Sequence, residues 1–429
     1  MKSRSITQLF FSLLLAAVLS AAMPGTVNAG EKTVITWWSF PIFIKTQPNE
    51  PAGTYEQSLI SAFEAKNPDV TVKFEQIDFT SGGDRIRMAI ENHSVCDVLF
   101  DAPGRIIDYG KKGLLVSLND WFDAQYTGDL RHKSLLGACS SGGKYYMYPL
   151  STAPFYMAFN KKRLKDAGAL DVVREGWTDK DFLTVVRALK KKGYVPGSVF
   201  CAGEGGDQAT RAFVCSLYGS SITNRSLTGY TVNDEAGVKA LGFIKRCLDE
   251  GTILPGAYYS GVDDINNFVN GLTSFTLLWS PNLQRNNEAS LRENGIQTVE
   301  VPFPAASGKP ALEYLVNGFC VFDNGSANRA GAAKRLIKFI CDDPHWGPRN
   351  VIQTACAPVR KSFSNFDYGT EIKKVSGWTR YYSPYYNTIN GFARMRILWI
   401  RALQGVIYSD RTPRQAADEF VRQADKTIK

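Results

Sequence analysis

The sequence predicts an α/β protein built from two lobes. Strand-like and helix-like patterns alternate from the start of the chain, as they do where helices connect and cover the strands of a sheet. The chain has 429 residues, and a single hydrophobic core stops growing at about 250–300 residues. Two long extended segments, 145–160 with two internal prolines and 314–322, are suited to crossing from one lobe to the other.

The first part of the chain supplies a β-α-β-α order. A helical stripe of Leu59, Ile60 and Phe63 ends before Pro68, and a second helix is predicted over 85–92. This order predicts a parallel sheet covered by helices on both faces. The predicted strands of this part are 34–40, 70–74 and 97–101.

The second part repeats the alternation. Thr178 and Asn233 are predicted to cap helices that end at Gly193 and Gly251. A strand is predicted over 273–279. Further helices are predicted over 328–340, closed by Pro344, and after Thr412, where Pro413 and Gln415 complete a capping box.

The first 29 residues have the pattern of a cleaved export signal. Lys2 and Arg4 precede an apolar run over 9–22, and Val27-Asn28-Ala29 ends in the small residue that signal cleavage favours. The alternative is an uncleaved anchor or a buried helix. No cysteine lies near Ala29 to accept a lipid, so we expect a free protein in the periplasm, with no membrane insertion of the mature chain.

Composition excludes several classes of function. The formal net charge is +9, but the basic residues are scattered, which disfavours nucleic-acid binding. The three histidines are isolated and no C-x-x-C occurs, so we predict no metal site and no cofactor. The P-loop, the zinc-protease helix and the nucleophile elbow are absent, which disfavours an enzyme. A hydrolase with dispersed carboxylates stays open as an alternative.

Eight cysteines in an exported chain permit disulfides. The pairs Cys201–Cys215 and Cys341–Cys356 close short loops and are the first candidates. Cys247 and Cys320 fall on an apolar helix face and an apolar strand, where burial as free thiols is equally expected.

An ordered set of segments spans nearly the whole mature chain. The segments are Ile35–Phe40, Cys96–Ala102 with Gly113–Leu118, Tyr148–Leu150 through Phe159–Lys162, Ala167-Gly168, Gly176–Thr178 with Asp181-Phe182, Leu278-Trp279, Asn328–Pro344, Ala357–Lys361, and Ala402–Gly405 through Thr412-Pro413 and Ala416-Ala417. Together they resemble the extracellular solute-binding proteins of family 1, the maltose-binding-protein-like carbohydrate-binding subunits of ABC importers.

The resemblance implies a type II periplasmic-binding-protein-like fold, with a ligand cleft and hinge crossings between the two α/β lobes. The implied first lobe is 31–151 plus 318–362, and the second is 152–317 plus 363–429. The implied function is to capture a sugar or oligosaccharide by hinge closure and deliver it to permease subunits driven by a separate ATPase. A monomer is expected.

Candidate ligand-binding residues stand where predicted strands end. Loops after the carboxyl ends of strands face the crevice in open α/β sheets. Sugars need aromatic platforms and planar polar groups that hydrogen-bond two hydroxyls. The candidates are Trp38, Ser39, Phe40, Asp78, Ser81, Asp101, Arg105, Glu204, Asp207, Gln208, Trp279, Ser280, Asn317, Gly318, Trp378 and Tyr382.

Each candidate has a structural alternative. One of Trp37 and Trp38 is expected to pack in the core, and Trp38 is favoured for the cleft. Arg105 has the alternative of pairing with Asp101 or Asp108. Trp279 has the alternative of packing in the core, whereas the resemblance implies a ligand-stacking aromatic at this position.

The solute itself also stays open. Adjacent tyrosines suggest a ferric ion as an alternative, and acidic aromatic pockets would suit a polyamine. The mild positive charge slightly favours neutral or anionic solutes, such as acidic sugars or phosphorylated polyols.

Overall fold

The computed structural model describes residues 32–44, 49–78, 81–203, 205–409 and 411–428. The predicted export signal over 1–29 lies outside these residues. The strands, in chain order, are β1 Thr33–Ser39, β2 Val70–Gln76, β3 Val98–Asp101, β4 Ser140–Ser141, β5 Lys144–Tyr145, β6 Tyr148–Pro154, β7 Tyr156–Asn160, β8 Ser198–Phe200, β9 Leu254–Gly256, β10 Phe275–Trp279, β11 Thr298–Val301, β12 Tyr314–Val321 and β13 Ala357–Pro358.

The α-helices connect and cover these strands. They are α1 Thr54–Lys66, α2 Gly82–Glu91, α3 Pro103–Lys111, α4 Ala124–Asp129, α5 Ser134–Cys139, α6 Lys161–Asp166, α7 Asp179–Lys191, α8 Asp207–Tyr218, α9 Glu235–Asp249, α10 Gly261–Val269, α11 Pro281–Asn286, α12 Glu288–Glu293, α13 Ala327–Asp342, α14 Trp346–Gln353, α15 Gly369–Trp378, α16 Phe392–Tyr408 and α17 Pro413–Ala424.

The first lobe contains a six-stranded sheet in the order β13-β6-β12-β3-β1-β2. Strand β1 is parallel to β2 and β3, as the sequence predicts. The sheet is nevertheless mixed, because β12 is antiparallel to both β3 and β6. Strand β6 leads towards the second lobe and β12 returns from it. Their direction is therefore set by the crossings and not by a β-α-β connection.

The second lobe contains a smaller sheet in the order β10-β7-β11. Strand β7 lies in its centre and is antiparallel to both neighbours. All of its residues are buried, as expected for a strand covered on both faces. Strands β8 and β9 form a separate parallel pair.

Two clusters of buried side chains form the cores of the lobes. One draws on residues 35–150 and 314–372, and the other on 155–312 and 375–424. Along the described residues the chain therefore passes between the cores three times. The predicted domain boundaries, 31–151 plus 318–362 and 152–317 plus 363–429, stay a prediction.

Helix caps follow the sequence closely. Thr178 and Asp181 form the capping box of α7, and Thr412 and Gln415 form that of α17. The cap of α9 is one residue later than predicted, because the Asp234 carboxylate accepts a hydrogen bond from the Gly237 amide at 2.6 Å. Asn233 instead donates its amide to Asp418 at 2.9 Å.

The eight cysteines are all free and buried, so the predicted pairs Cys201–Cys215 and Cys341–Cys356 are wrong. Cys341 packs in the core of the first lobe, whereas Cys356 has polar neighbours, Asn317 and Thr354. Burial raises the pKa of the Cys247 thiol to about 11, which keeps this group protonated. The alternative of buried free thiols at Cys247 and Cys320 is confirmed.

Glu371, in the first turn of α15, makes stability depend on pH. Its Oε1 atom is buried without a hydrogen-bond partner among the described residues. Burial, and then the nearby Glu300, raise its pKa to about 7 from 4.5. Because the folded state holds this proton more tightly than the unfolded chain, its stabilising contribution is complete below pH 4.5 and is lost as the pH rises through 7.

We expect Glu371→Gln to raise the free energy of unfolding at alkaline pH by about 1–2 kcal/mol, allowing for partial solvent screening. The gain should disappear at acid pH. Urea unfolding at both ends of the range measures it, with Glu235→Gln, whose side chain is fully exposed, as the control. An equal gain at both pH values would assign the effect to packing instead.

Candidate functional site

A cavity of about 580 Å³ lies between the lobes. The first lobe contributes Phe40 and Asp101, at the ends of β1 and β3, together with the start of α1. The second lobe contributes Gln208 from α8 and the residues that follow β10. The strands therefore deliver their carboxyl ends to the cavity, as open α/β sheets do.

Much of the cavity wall is apolar, with polar groups at defined points. The aromatic lining residues are Phe40, Phe43, Tyr55, Phe100 and Phe155. The planar amides are Gln76, Gln208, Asn282, Asn286 and Asn317. Rings that offer flat apolar faces and amides that both donate and accept are the groups that a hydroxylated ring compound requires.

Asp101 and Arg105 form a rigid ion pair at the cavity edge. Because β3 ends at Asp101 and α3 begins two residues later, Arg105 lies one helical turn away. Its Nε and Nη2 donate to the two carboxylate oxygens, each at 2.6 Å. Burial raises the pKa of Asp101, although Arg105 opposes the shift. The guanidinium also lies 4.7 Å above the Phe40 ring, so both neighbours fix its direction.

Asn317 occupies a fully packed part of the wall. Its Nδ2 donates to Ser151 Oγ at 3.2 Å and to Cys356 Sγ at 3.6 Å. Burial raises the pKa of Cys356 to about 11, so the thiol is protonated and donates to the Thr354 carbonyl at 3.3 Å. The remaining acceptor of Asn317 is its side-chain oxygen.

A second chamber of about 720 Å³ adjoins the first. The two share Ala102, Arg105, Phe155, Gln208 and Leu315. The second chamber continues past Lys111, Arg211, Arg396, Tyr385, Asn387 and Phe392. The cleft is thus a two-chambered groove with Arg105 and Gln208 at the junction.

Six of the predicted ligand-binding residues line the first chamber. They are Phe40, Asp101, Arg105, Gln208, Ser280 and Asn317. Ser280 also accepts a hydrogen bond from the Leu283 amide as the N-cap of α11. Arg105 forms an ion pair with Asp101, which is one of the two structural alternatives given for Arg105 in the sequence analysis.

The predicted aromatic platforms Trp279 and Trp378 lie in the core of the second lobe. Trp279 is 0% exposed and packs edge-on against Phe268, with ring centroids 5.4 Å apart. Trp378 packs against Tyr156 and donates its indole N–H to Glu175. A buried indole offers no face to a ligand, so neither is a cleft residue in this structure.

Tyr382 and Gly318 belong to the crossings. Tyr382 stacks on Tyr314, with centroids 3.8 Å apart, and shares a hydrogen bond of 2.9 Å with Thr152. At Gly318 the pairing register with β6 shifts, and a Cβ atom would lie 2.4 Å from the Tyr148 carbonyl oxygen. Glycine is there because two backbones approach closely, not because a ligand does.

The other predicted residues have structural partners. Asp207 is buried between Arg211 and Arg396. Ser39 is buried and donates to the Phe40 carbonyl, at 2.8 Å. Trp38 is half-buried, with the Arg85 guanidinium 4.7 Å above its ring, while Trp37 is in the core.

Asp78, Ser81 and Glu204 complete the predicted set. The Ser81 amide and hydroxyl donate to the Asp78 carboxylate at 2.7 and 2.6 Å, immediately before α2. This pair does not line the cavity. Glu204 lies outside the described residues.

Several lining residues were not among those predicted from the sequence. Asn282 and Asn286 share one face of α11 at i and i+4, a spacing that was visible directly after Trp279 and Ser280. Glu56 and Tyr55 come from the start of α1, which follows the loop after β1. Phe155 separates β6 from β7, and nothing in its local pattern indicates that it faces a cavity.

The hydroxyls of Tyr382 and Tyr386, near the crossings, already have hydrogen-bond partners. Tyr386 is hydrogen-bonded to Glu313 and Arg211, and burial raises its pKa well above the ordinary value. Tyr258 is exposed and packs edge-on against Tyr408. Among the residues that the structure describes, no cluster of His, Cys, Asp and Glu is arranged to hold a metal ion.

No helix within the described ranges has both the length and the apolarity that a bilayer crossing needs.

Known proteins match the chain over most of its length. A binding protein of Brucella abortus (strain 2308) is 20% identical over 420 residues, which cover 97% of this chain and 98% of the relative. An ABC-transporter solute-binding protein of Thermotoga lettingae TMO, solved with α-D-tagatose, is 17% identical with a TM-score of 0.75, covering 93% of this chain and 100% of that chain.

A cyclic α-maltosyl-1,6-maltose binding protein of Arthrobacter globiformis is 15% identical with a TM-score of 0.74, covering 92% of this chain and 99% of that chain. At these identities the two solved structures establish the fold, which is the predicted periplasmic-binding-protein-like fold. The model of the family described as bacterial extracellular solute-binding protein matches residues 47–343. The chain belongs to this family of bacterial extracellular solute-binding proteins.

Proposed function

We propose that this protein captures a sugar or oligosaccharide between its lobes and delivers it to the permease subunits of an ABC importer. The observation that carries the proposal is the cavity between the lobes, where aromatic rings and planar amides line one groove. The chain acts as a monomer, without cofactor and without altering the solute. A separate ATPase drives transport.

The solutes of the two structural neighbours support a sugar. One was solved with α-D-tagatose, and the other is a binding protein for cyclic α-maltosyl-1,6-maltose. The groove of this chain has room for more than one ring, because its two chambers of about 580 and 720 Å³ adjoin at Arg105 and Gln208. An oligosaccharide is therefore a suitable occupant.

Capture follows from hinge closure. Individual hydrogen bonds join the lobes across the cleft, such as that of 3.3 Å from Asn282 Nδ2 to the Thr354 carbonyl and that of 2.8 Å from Lys111 Nζ to Asn390. The crossings carry the Tyr314–Tyr382 stack close to the cleft. A solute that touches both lobes binds the closed state more tightly than the open state and shifts the population towards it.

A panel of solutes tests the proposal. The purified protein is unfolded and refolded to remove carried-over ligand, then heated with sugars, sugar acids, polyols, polyamines and ferric citrate. A ligand at about 100 times its Kd adds roughly 2.7 kcal/mol to the free energy of unfolding. Stabilisation by sugars supports the proposal. A response confined to iron or polyamines would replace the solute class, and turnover of a glycoside would establish an enzyme instead.

Asp101→Ala tests the location of the site. Without its partner the Arg105 guanidinium loses two hydrogen bonds and its fixed direction. We expect the Kd for a sugar identified by the panel to rise by about tenfold or more, which isothermal titration measures. Asp84→Ala, on the exposed face of α2, is the control and should leave the Kd unchanged. An unchanged Kd in both variants would place the site elsewhere.

We also propose that the chain is exported to the periplasm and cut near Ala29. The basic and apolar pattern of residues 1–29 supports this, as does membership of an extracellular family. The intact mass of the protein from a periplasmic extract tests it, and a mass that retains the first 29 residues would contradict it.

A further inference from the structure

Glu56 is a buried acid that faces the first chamber. It lies in the first turn of α1, is 4% exposed and contributes to the cavity lining. Among the described residues no side chain pairs with its carboxylate by a hydrogen bond or an ion pair. Its neighbour Tyr55, in contrast, donates its hydroxyl to Asn350 at 2.7 Å.

The surroundings of Glu56 make its negative charge costly. Burial raises the pKa of the carboxyl, the backbone N–H of the same residue lowers it, and the nearby Glu50 raises it again. Glu50 lines the same chamber. Among the described residues that line the first chamber, Arg105 is the single Lys or Arg, and its guanidinium is bound to Asp101.

A protonated amine on a bound solute would supply the missing partner. A buried carboxylate is stabilised when an opposite charge reaches hydrogen-bond distance, and an apolar environment strengthens that attraction. The chamber also presents the ring of Phe43, and an aromatic face attracts a cation further. A neutral hydroxyl would be attracted to the carboxylate less strongly, because it carries no charge.

We propose that Glu56 forms an acidic subsite for a protonated amine, so that the cleft selects an amino-bearing solute over its neutral counterpart. The proposal rests on the proposed function and defines the solute class more narrowly. It differs from the preference for neutral or anionic solutes that the net charge of the chain suggests, because the chamber and not the whole surface sets the local potential.

Matched amines and amides test this subsite. Purified protein is titrated by calorimetry with hexosamines and deacetylated chito-oligosaccharides, and with the N-acetylated form of each, at a pH where the sugar amine is protonated. Neutral hexoses and spermidine complete the set. We expect the amino sugars to bind about tenfold more tightly than their N-acetylated forms. This comparison uses the unaltered chain, so it needs no variant to fold.

Glu56→Gln then assigns the selectivity to one residue. The variant keeps the size of the side chain and removes its charge, so the ratio of the affinity for the amine to the affinity for its N-acetylated form should fall to about one. Glu235→Gln, which alters a fully exposed acid in the first turn of α9, should retain the preference.

Each other outcome overturns the subsite in a distinguishable way. Equal binding of amine and amide, or a preference that survives Glu56→Gln, overturns it and leaves sugar capture intact. If spermidine binds and none of the sugars does, the solute is a polyamine and not an amino sugar, which contradicts the proposed function. If no sugar of any kind binds, both proposals fail.

Discussion

Replacing Arg211 by methionine is expected to lower the free energy of unfolding by about 3–5 kcal/mol. Arg211 is 1% exposed and joins three parts of the chain. It pairs with Asp207 one turn earlier on α8, binds Glu313 at 3.1 and 3.2 Å, and contacts the Tyr386 hydroxyl. The variant leaves the buried Glu313 carboxylate without its cation, whereas Asp207 keeps Arg396. Removing one partner of a buried ion pair is the most costly way to break it.

Chemical denaturation monitored by tryptophan fluorescence measures this loss. Arg87→Met is the matched control, because Arg87 also lies between two acids on a helix, Asp84 and Glu91, but at the surface. The control should change nothing measurable. If both variants lose the same stability, the buried network contributes no more than surface ion pairs do.

Partial recovery is expected when Glu313 is neutralised as well. In the double variant Arg211→Met with Glu313→Gln, one buried negative charge disappears together with the positive one. Non-additivity between the two substitutions, measured as a double-mutant cycle, reports their direct coupling.

Trp279→Ala is expected to cost about 3–5 kcal/mol of stability, the usual loss for a buried aromatic that leaves a cavity. The indole is fully buried against Phe268, and its Nε1 donates to Gln284 at 3.2 Å. The milder Trp279→Phe should lose part of this stability and leave the Kd for a bound sugar unchanged.

Isothermal titration calorimetry, at a temperature where every variant is folded, separates a structural role of Trp279 from a role in ligand binding. Trp38→Ala serves for comparison, since Trp38 is half-buried beneath Arg85 and should cost much less. Loss of sugar binding in Trp279→Phe with stability retained would show that this ring contacts the ligand after all.

Local features were predictable because short-range physics determines them. Thr178 and Thr412 cap their helices with the reciprocal partner that a capping box requires. Strand β1 was visible as an apolar run between turns, and Ile35 and Trp37 are fully buried. At Asn233 the prediction was one residue early, because Asp234 also has a suitable side chain and only the geometry of the turn chooses between them.

The candidate site was predictable where a residue directly follows a strand. Phe40, Asp101 and Ser280 line the cavity because the carboxyl ends of strands meet at one edge. The same rule failed for Trp279, since adjacent residues in a strand point to opposite sides and the strand end itself does not say which side faces the cleft. It also missed Glu56, which reaches the cavity from the start of a helix.

Local patterns were enough to predict the alternation of strands and helices, the caps, the two-lobed α/β class and the family resemblance, because these depend on neighbours within a few residues and on their order. The folded chain was needed to establish the mixed direction of the first sheet, the free state of the eight cysteines and the composition of the cleft. These depend on contacts between residues far apart in the chain. Folding alone brings Glu56 and Gln208, which are far apart in the chain, to the same cavity.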